Sequence, residues 1–328
     1  MRVLITGSEG FAGSHLADHC LAQGDEVWGT CRPGARVSNV AHILDQITLR
    51  VGDLTKPQFI RDVLGEARFD AIFHLAGISF VPEAELQPGR CYEVNLLGGL
   101  HVLEGIRTMQ HHARVVVASS ADVYGQVPED RMPIKETEPF APANIFAAGK
   151  AALELAVRPL VSTYGMQIVI VRPFNHTGPR QRTDFVCSTF AQQVALCEAG
   201  RQDKILVGDL TPKRDFSDVR DIIRGYRLMA LHGQPGDAYN LASGQSVSAE
   251  QILQILMKMA RIEVKVENDP QRMRRTQVMD HRGSYEKVHA CCGWKPEVPF
   301  EKTLRDLLNH HRDLLVRQQH KAEQASAR

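Results

Sequence analysis

The chain has 328 residues, 43% hydrophobic and 23% charged, which excludes the disordered and fibrous classes and allows one large domain or two smaller ones. Its 39 Lys and Arg residues nearly balance 38 Asp and Glu residues, for a formal net charge of +1. That balance argues against nucleic acid or an acidic membrane as the main partner. No apolar run reaches the roughly 18 residues that a membrane-spanning helix needs, so we expect no membrane partner.

The first residues predict a strand and not an export signal. An export signal needs about 7–15 apolar residues in succession, and the polar and glycine residues 7–10 interrupt the run that ends at Thr6. The seven cysteines are scattered and include no CxxC pair, which is typical of idle thiols in a reducing compartment. We therefore predict a cytoplasmic protein without a metal site.

Short β-branched runs alternate with longer helical patterns through the first half of the chain. In chain order the predicted strands are Val3–Ile5, Glu26–Trp28, Ile47–Leu49, Ala71–Phe73, Val115–Val117 and Ile168–Val171. The predicted helices between them are Ala12–Gln23, Pro57–Glu66, Arg90–Thr108 and Ile145–Tyr164. This alternation predicts the α/β class, with a Rossmann-type doubly wound parallel sheet and a smaller, interleaved C-terminal substrate domain.

After Arg172 prolines punctuate shorter elements, although a helix at Asp218–Leu231 and a strand at Ala238–Leu241 indicate a return to the sheet. We therefore assign residues 1–172 and 217–243 to a dinucleotide-binding domain. Residues 173–216 and 244–320 form the predicted nucleotide-sugar-binding domain. The polar residues 321–328 are expected to form a frayed tail.

The first predicted strand leads into GSEGFAG at residues 7–13 and then into a helix, which is the pattern of a phosphate-binding turn. In such a turn Gly7 permits the tight bend, Gly10 lets the backbone approach a pyrophosphate, and Gly13 allows close packing of helix and strand. The start of the helix then offers free N–H groups to the anion. An ordinary turn is the alternative, and the position at the first strand–helix junction favours cofactor binding.

The end of the second predicted strand reads VWGTCR at residues 27–32 and carries no carboxylate. In dinucleotide-binding folds an acid at this place accepts a hydrogen bond from the ribose hydroxyl of NAD. Arg32 is instead suited to pair with the 2′-phosphate of NADP, although a solvated surface arginine is the alternative. The sequence therefore favours NADP over NAD.

Seven further motifs occur in the order in which they occur in a known family: GDL (52–54), HLAG (74–77), VNLLG (94–98), SSADVYG (119–125), RPFNHTGP (172–179), RDFSDV (214–219) and CGWKP (292–296). On these motifs the chain resembles the extended short-chain dehydrogenase/reductases, the NAD-dependent epimerase/dehydratase family, over residues 1 to about 315. Together with the turn and Arg32, the resemblance implies a cofactor site made of Gly7, Gly10, Phe11, Gly13, Arg32, Asp53, Leu54, Leu75, Ala76, Gly77, Asn95 and Lys150.

Within that family the chain most resembles the GDP-4-dehydro-6-deoxy-mannose reductases and the GDP-mannose 4,6-dehydratases. The segments FNHTG (174–178), DFV (184–186) and QRMRR (271–275) carry this closer resemblance. It implies a nucleotide-diphosphate sugar as the substrate, with a GDP-hexose favoured. The substrate contacts implied by family position or by closeness in sequence are Tyr124, Asn175, His176, Arg180, Arg214 and Arg274. A packing role is the alternative for Tyr124. Arg275 is a further candidate by closeness in sequence, with a solvated surface as its alternative.

The catalytic residues that the family uses are a Ser or Thr, a Tyr, and a Lys four residues after the Tyr. Ser120 and Lys150 fill two of these places, but Phe146 stands at the tyrosine position and has no exchangeable proton. Ile145 and Gly149 also depart from the family pattern, which favours natural divergence over a single engineered change. Asp122 lies where the dehydratases place an acidic base, and a loop aspartate that bonds only to backbone is the equal alternative.

Three functions remain open from the sequence. The first is an NADP(H)-dependent reductase of a nucleotide-linked keto sugar. The second is a redox-neutral dehydratase, epimerase or lyase in which NADP cycles and Asp122 or Lys150 is the base. The third is a cofactor-binding homologue weakened in catalysis by Phe146. The family's mode of assembly further implies a homodimer through Arg90–Thr108 and Ile145–Tyr164, which carry more leucines than one sheet face needs.

Overall fold

The computed structural model describes residues 1–109, 112–272 and 280–326. The strands, in chain order, are β1 (Arg2–Thr6), β2 (Glu26–Cys31), β3 (Ile47–Val51), β4 (Ala71–His74), β5 (Arg114–Ala118), β6 (Ile168–Pro173), β7 (Asn175–Thr177), β8 (Lys204–Val207), β9 (Lys213–Asp218), β10 (Ala238–Leu241), β11 (Ser246–Ser248) and β12 (Lys265–Asn268).

The α-helices, in chain order, are α1 (Phe11–Ala22), α2 (Pro57–Glu66), α3 (Val81–Leu86), α4 (Pro88–Tyr92), α5 (Gly99–Met109), α6 (Ile145–Tyr164), α7 (Val186–Glu198), α8 (Val219–His232), α9 (Ala249–Lys258), α10 (Glu286–Cys292) and α11 (Phe300–Ser326). Short 3₁₀ turns complete the helical structure at Val37–Asn39, Ala41–Ile43, Ala121–Tyr124, Glu129–Arg131 and Pro270–Arg272.

The described residues form one seven-stranded sheet in the order β10-β6-β5-β4-β1-β2-β3. Every neighbouring pair in it is parallel. Its central strands are buried along most of their length because helices cover both faces, which explains their continuous apolar runs. The predicted α/β class and doubly wound parallel sheet are confirmed, and each strand predicted from the sequence lies in this sheet.

The longest helix of the sheet region, α6, has a clear start and stop. Asn144 caps it, since its side-chain Oδ1 accepts a hydrogen bond from the Ala147 N–H at 2.8 Å. Gly165 ends it in the left-handed region at φ +67°. The helix therefore runs over the predicted range Ile145–Tyr164.

The helix predicted at Arg90–Thr108 is divided in the structure. A wider, π-helical segment at Glu93–Gly98 separates α4 from α5. Such segments are rare and concentrate at functional sites, because they redirect side chains without ending the helix. Asn95 lies inside this one, and its side chain is buried.

The second half of the chain adds a separate apolar core beside the large sheet. Helices α7, α9 and α11 pack together over β8, with residues such as Val194, Leu253 and Leu307 fully or almost fully buried. A three-stranded sheet β11-β9-β7 and the pair β12-β8 accompany them. Helix α11 is anchored on this core by residues such as Leu307 and continues to Ser326. The predicted tail of residues 321–328 stays a prediction.

No helix among the described residues is both long and apolar enough to span a membrane.

Candidate functional site

The turn between β1 and α1 is held in a shape that only glycine permits. Gly7 has φ +73°, and a Cβ added there would lie 2.9 Å from the Ala76 Cα. A Cβ on Gly13 would lie 2.1 Å from the Gly7 carbonyl oxygen. Gly10 directly precedes α1, and no side chain caps that helix. The first N–H groups of α1 are therefore available to a bound anion. The cradle therefore fits the pyrophosphate of a dinucleotide cofactor.

A hydroxyl of β1 anchors the end of β4 beside this turn. Thr6 Oγ1 accepts hydrogen bonds from the N–H groups of Leu75 and Ala76, both at 3.2 Å. It also lies 2.9 Å from His74 Nδ1. Burial and the nearby Lys150 charge lower the pKa of His74 to about 3, so this ring is neutral and structural. The predicted cofactor residues Leu75 and Ala76 thus line the turn at the Gly7 contact.

Asn95 and Lys150 meet at Gly77. A Cβ on Gly77 would lie 2.9 Å from Asn95 Oδ1 and 3.5 Å from Lys150 Nζ, so only glycine keeps this space open. The Asn95 amide bonds to both the N–H and the carbonyl of Ile78, at 2.8 and 2.9 Å. Lys150 donates to the Ala118 carbonyl at 2.8 Å, which holds its amine at the end of β5.

Lys150 is 6% exposed, and no carboxylate lies within ion-pair distance of its amine among the described residues. Burial lowers the pKa of Lys150 to about 8. Its charge is therefore free to interact with a cofactor hydroxyl or a substrate oxygen.

Asp53 and Arg32 are two of the predicted cofactor residues that lie outside the glycine turn. Asp53 accepts a hydrogen bond from the Thr55 N–H at 2.9 Å, and Arg90 pairs with its second oxygen at 3.3 Å. These partners lower the pKa of Asp53 against the opposing effect of burial, so the carboxylate is charged. Arg32 is exposed at the end of β2, with its side chain open to solvent.

Ser120 and Asp122 lie in the turn that follows β5. Ser120 Oγ accepts a hydrogen bond from the Asp122 N–H at 3.1 Å, which shapes the turn. Asn144, the cap of α6, donates to the Asp122 carboxylate, and the charge of Arg214 also favours its ionised form. Burial outweighs both and raises the pKa of Asp122. The turn therefore presents a hydroxyl and a carboxyl group that can exchange a proton.

Phe146 packs as an apolar wall. It is 7% exposed and clusters with Ala84 and Cys91. The Cys91 thiol accepts a hydrogen bond from Asn95 Nδ2 at 3.4 Å, and burial raises its pKa, so it stays a neutral thiol. The Phe146 ring fills the volume that a tyrosine ring occupies in the family, but it has no hydroxyl and supplies no proton.

Strand β7 contacts the start of α1, and β9 contacts the segment before α10. The His176 ring stacks on Phe11 with centroids 5.8 Å apart, so the strand that carries Asn175 touches the phosphate-binding turn. Arg214, on β9, is half-buried beside His281, and burial lowers the pKa of both. Nε2 of His281 is buried without a hydrogen-bond partner among the described residues.

Two predicted substrate contacts have other partners in the structure. Tyr124 is 1% exposed, and its hydroxyl donates to Asn240 Oδ1 at 2.7 Å and accepts from Arg172 at 2.8 Å. The Arg180 guanidinium pairs with Asp18 of α1 at 2.8 Å. In the structure Tyr124 is a buried packing residue, and Arg180 joins the substrate-side loop to α1. The substrate contacts of both residues stay predictions. The predicted residue Arg274 and its neighbour Arg275 lie outside the described residues.

Asn144, His281 and Glu9 were not predicted from the sequence. Asn144 had a detectable signal, since an Asn directly before a helical run is a common helix cap. The other two lie in segments whose position depends on contacts distant in the chain. Glu9 in particular reaches the end of β2 only through the bend at Gly7.

Comparison with known proteins agrees with this geometry. Residues 4–307 match the family model of GDP-mannose 4,6 dehydratase. The GDP-6-deoxy-D-mannose reductase of Pseudomonas aeruginosa is 35% identical, with 94% of this chain and 96% of that protein covered. The human GDP-mannose 4,6 dehydratase is 27% identical, with 95% and 91% covered.

Solved structures show the same relationship. RMD from Pseudomonas aeruginosa complexed with NADPH has a TM-score of 0.83 at 33% identity, covering 95% of this chain and 99% of that chain. UDP-glucose 4-epimerase from Thermus thermophilus complexed with NAD has a TM-score of 0.85 at 29% identity, with the same coverage. The predicted resemblance is confirmed: the chain belongs to the GDP-mannose 4,6 dehydratase family of extended short-chain dehydrogenase/reductases.

Proposed function

We propose that this protein is an NADP(H)-dependent enzyme that reduces the 4-keto group of a GDP-linked 6-deoxyhexose. The observation that carries the proposal is the meeting of Lys150, Ser120 and the glycine turn at one edge of the sheet. The reductase relative and the NADPH complex of RMD support the substrate class and the cofactor. In the forward direction a C–H bond forms at C4, and the ketone oxygen takes a proton to become a hydroxyl.

The nicotinamide supplies the hydride when the cofactor is bound. The residues of this chain bind the cofactor and the substrate, orient them, and protonate the ketone oxygen. Lys150, held by the Ala118 carbonyl, places positive charge beside the space kept open at Gly77. Ser120 offers a hydroxyl at the end of β5, and Phe146 keeps water from that side. These groups stabilise negative charge on the substrate oxygen as hydride arrives.

The proton donor in this chain cannot be Phe146. Asp122 is the acid that the geometry supports, because burial raises its pKa and Asn144 fixes its carboxyl group by a hydrogen bond. A raised pKa increases the fraction of a carboxyl group that is protonated, which is the form a general acid needs. We propose that Asp122 supplies the proton, at a rate below that of a positioned phenol.

Arg214 and Asn175 face the substrate side in this proposal. Arg214 is half-buried and charged, which suits a diphosphate, since guanidinium groups bind phosphate oxygens through paired hydrogen bonds. Asn175, beside the His176–Phe11 stack, would contact the sugar or order its loop. The substrate elements belong to the predicted domain of residues 173–216 and 244–320, and the cofactor elements to that of residues 1–172 and 217–243.

We further propose a cytoplasmic homodimer. The seven cysteines are all free thiols, as expected in a reducing compartment. Leu97 of the π-helical segment and Leu155 of α6 are 47% and 61% exposed, which leaves apolar surface on the two helices that the family pairs in its dimers.

A redox-neutral reaction is the second candidate. The raised pKa of Asp122 favours the redox-neutral reaction as well, because a partly buried carboxylate can act as a base that removes a proton from a carbon of the sugar ring. The two candidates differ in whether the cofactor is consumed.

One experiment separates them. The purified protein is incubated with NADPH and either GDP-4-keto-6-deoxy-mannose or GDP-mannose, and the sugar products are identified by mass spectrometry. Reduction predicts NADPH loss and a product two hydrogens heavier from the keto sugar. A dehydrated or isomerised product without net NADPH loss would replace the reductase with the redox-neutral reaction. If neither sugar gives a product, both candidate functions are contradicted.

A further inference from the structure

A buried ion pair joins helix α6 to strand β6. Glu154 follows Lys150 by one turn of α6, and Arg172 lies on β6. The Arg172 guanidinium donates to the Glu154 carboxylate from Nε at 3.0 and 3.1 Å and from Nη2 at 2.7 Å. Glu154 and Arg172 are only 3% and 6% exposed. A bidentate pair of this kind fixes the orientation of both side chains as well as their distance.

The same guanidinium reaches the turn that carries Ser120 and Asp122. Arg172 Nη1 donates to the Tyr124 hydroxyl at 2.8 Å, and the guanidinium carbon lies 5.0 Å from the centre of the Tyr124 ring. Tyr124 is the last residue of the 3₁₀ turn that begins after Ser120 and contains Asp122. Its hydroxyl donates onward to Asn240 Oδ1 at 2.7 Å. Arg172 therefore links the turn of the proposed acid to the helix of the lysine.

Stability alone does not account for a buried pair of charges. Two charges taken out of water lose hydration that their attraction only partly offsets, and apolar side chains of similar volume often replace such a pair without loss of stability. Hydrogen bonds fix direction as well as distance, so this network sets the position of the turn relative to α6 more narrowly than apolar packing would. The pair also acts at Lys150: burial lowers the pKa of Lys150, and the Glu154 charge opposes that effect.

We propose that Glu154 and Arg172 are positioning residues, which act through Tyr124 to hold the turn of the proposed acid against the helix of the lysine. The inference rests on the proposed function, since the groups that are positioned are Asp122 and Lys150. The pair acts on the geometry of the chemical step and not on ligand binding. Its loss therefore slows the transfer of hydride and proton and leaves the affinities for the sugar and for NADPH nearly unchanged.

Reduction of GDP-4-keto-6-deoxy-mannose by the full-length protein tests this role. Glu154→Gln keeps the shape of the side chain and removes its charge. We expect its kcat to fall about 10–100-fold, because a small misplacement of reacting groups is costly, while KM for the sugar changes by less than about threefold. Single-turnover NADPH oxidation, with the enzyme in excess over the sugar and saturating, should slow by the same factor. That rate constant does not depend on the fraction of protein that is folded.

The double variant Glu154→Leu/Arg172→Met separates positioning from folding. It leaves no unpaired charge in the interior, so its thermal melt should stay close to that of the wild type. Its single-turnover rate constant should nevertheless remain about 10–100-fold lower. Glu198→Gln is the matched control, since Glu198 of α7 forms a bidentate pair with Arg312 of α11 at 2.6 and 2.7 Å. Breaking that pair should lower the melting temperature and leave the rate constant unchanged.

A milder variant tests the link itself. Tyr124→Phe removes only the hydroxyl through which Arg172 holds the turn, and the ring keeps its packing. It must lower the single-turnover rate constant in the same direction as the double variant. If Tyr124→Phe matches the wild type, Arg172 does not act through this hydroxyl and the proposal is overturned.

The remaining outcomes separate the two levels of the inference. If the wild-type protein gives no reduced sugar, the proposed function fails and the positioning role fails with it. If the wild type is active and the folded double variant has a rate constant within about twofold of it, the pair is only structural and the proposed function stands. A rise in KM for the sugar in place of a fall in kcat would also contradict the positioning role, because it would place the pair in substrate binding.

Discussion

Phe146 is the residue that most separates this chain from its family, because a phenyl ring stands where the chemistry calls for a phenol. The ring is buried beside Cys91 and Ala84, so a tyrosine needs only to add one hydroxyl at the open side of the site. We expect Phe146→Tyr to raise the rate of ketone reduction by about 10²–10⁴, the usual contribution of a positioned proton donor. The measurement is NADPH consumption with GDP-4-keto-6-deoxy-mannose.

The control for that variant is Phe300→Tyr, which adds the same hydroxyl at the start of α11. It should leave the rate unchanged. If the wild-type protein already reduces the ketone rapidly and tyrosine adds nothing, another group donates the proton. Asp122→Asn then tests the acid that the structure favours, with loss of turnover expected.

The burial of Lys150 makes the stability of the protein depend on pH. Its pKa is about 8 in the folded protein, below the ordinary value of 10.5. Between these values the unfolded chain binds more protons at this site, so the Lys150 contribution to the free energy of unfolding rises as pH increases from 8 to 10. Urea titrations of the wild type and Lys150→Met at both pH values measure the difference. A variant with the same pH dependence as the wild type would contradict this assignment.

At the scale of elements, the start of α6 joins helix stability to the chemistry. Asn144 caps the helix through its side-chain oxygen and holds Asp122 through its side-chain nitrogen. Asn144→Ala removes both functions and should lower the free energy of unfolding by about 0.5–2 kcal/mol. Thermal and urea denaturation measure this loss.

Asn144→Asp separates the two functions. Aspartate still caps α6, so stability should stay close to that of the wild type. It no longer donates to Asp122 and places a second negative charge beside it, which raises the pKa of the pair. We expect the activity optimum of this variant to move to higher pH. Equal pH profiles for Asn144→Asp and the wild type would show that Asn144 acts on the helix alone.

At the scale of the whole molecule, the exposed leucines predict how the protein assembles. Leu97 and Leu155 lie on neighbouring helices and leave apolar side chains in contact with solvent in a single chain. The wild type should have the mass of a dimer by light scattering at micromolar concentration. Leu155→Arg should yield a monomer, because burying an unpaired charge in the interface is costly. Leu231→Arg, at a leucine 44% exposed on α8, is the control that should keep the dimer mass.

Contacts between the two halves of the chain also belong to this scale. The Phe11–His176 stack, the hydrogen bond from His15 to the Pro179 carbonyl at 2.8 Å and the Arg180–Asp18 pair all link the phosphate-binding turn or α1 to the substrate side. These contacts place the two walls of the site against each other.

The sequence by itself determined the sheet, the glycine turn and the family, because these depend on local signals. Apolar runs such as 115–117, the spacing of three glycines and the cap at Gly165 depend only on neighbours in the chain. The π-helical segment at Glu93–Gly98 was not predicted, and its buried Asn95 bonds to Ile78, 17 residues away in the chain. The position of α11 likewise depends on its packing against α7.

Only the tertiary structure decided which side chains share the site. Tyr124 and Arg180 belong to segments that matched or adjoined substrate motifs. In the structure the Tyr124 hydroxyl bonds to Asn240 and the Arg180 guanidinium pairs with Asp18, and both partners are distant in the chain. The motif around Arg32 indicated an acid-free end of β2, and a turn joined to that strand by backbone hydrogen bonds brings Glu9 there. Sequence spacing records which residues are present, whereas hydrogen bonds and packing between distant segments decide what each residue meets.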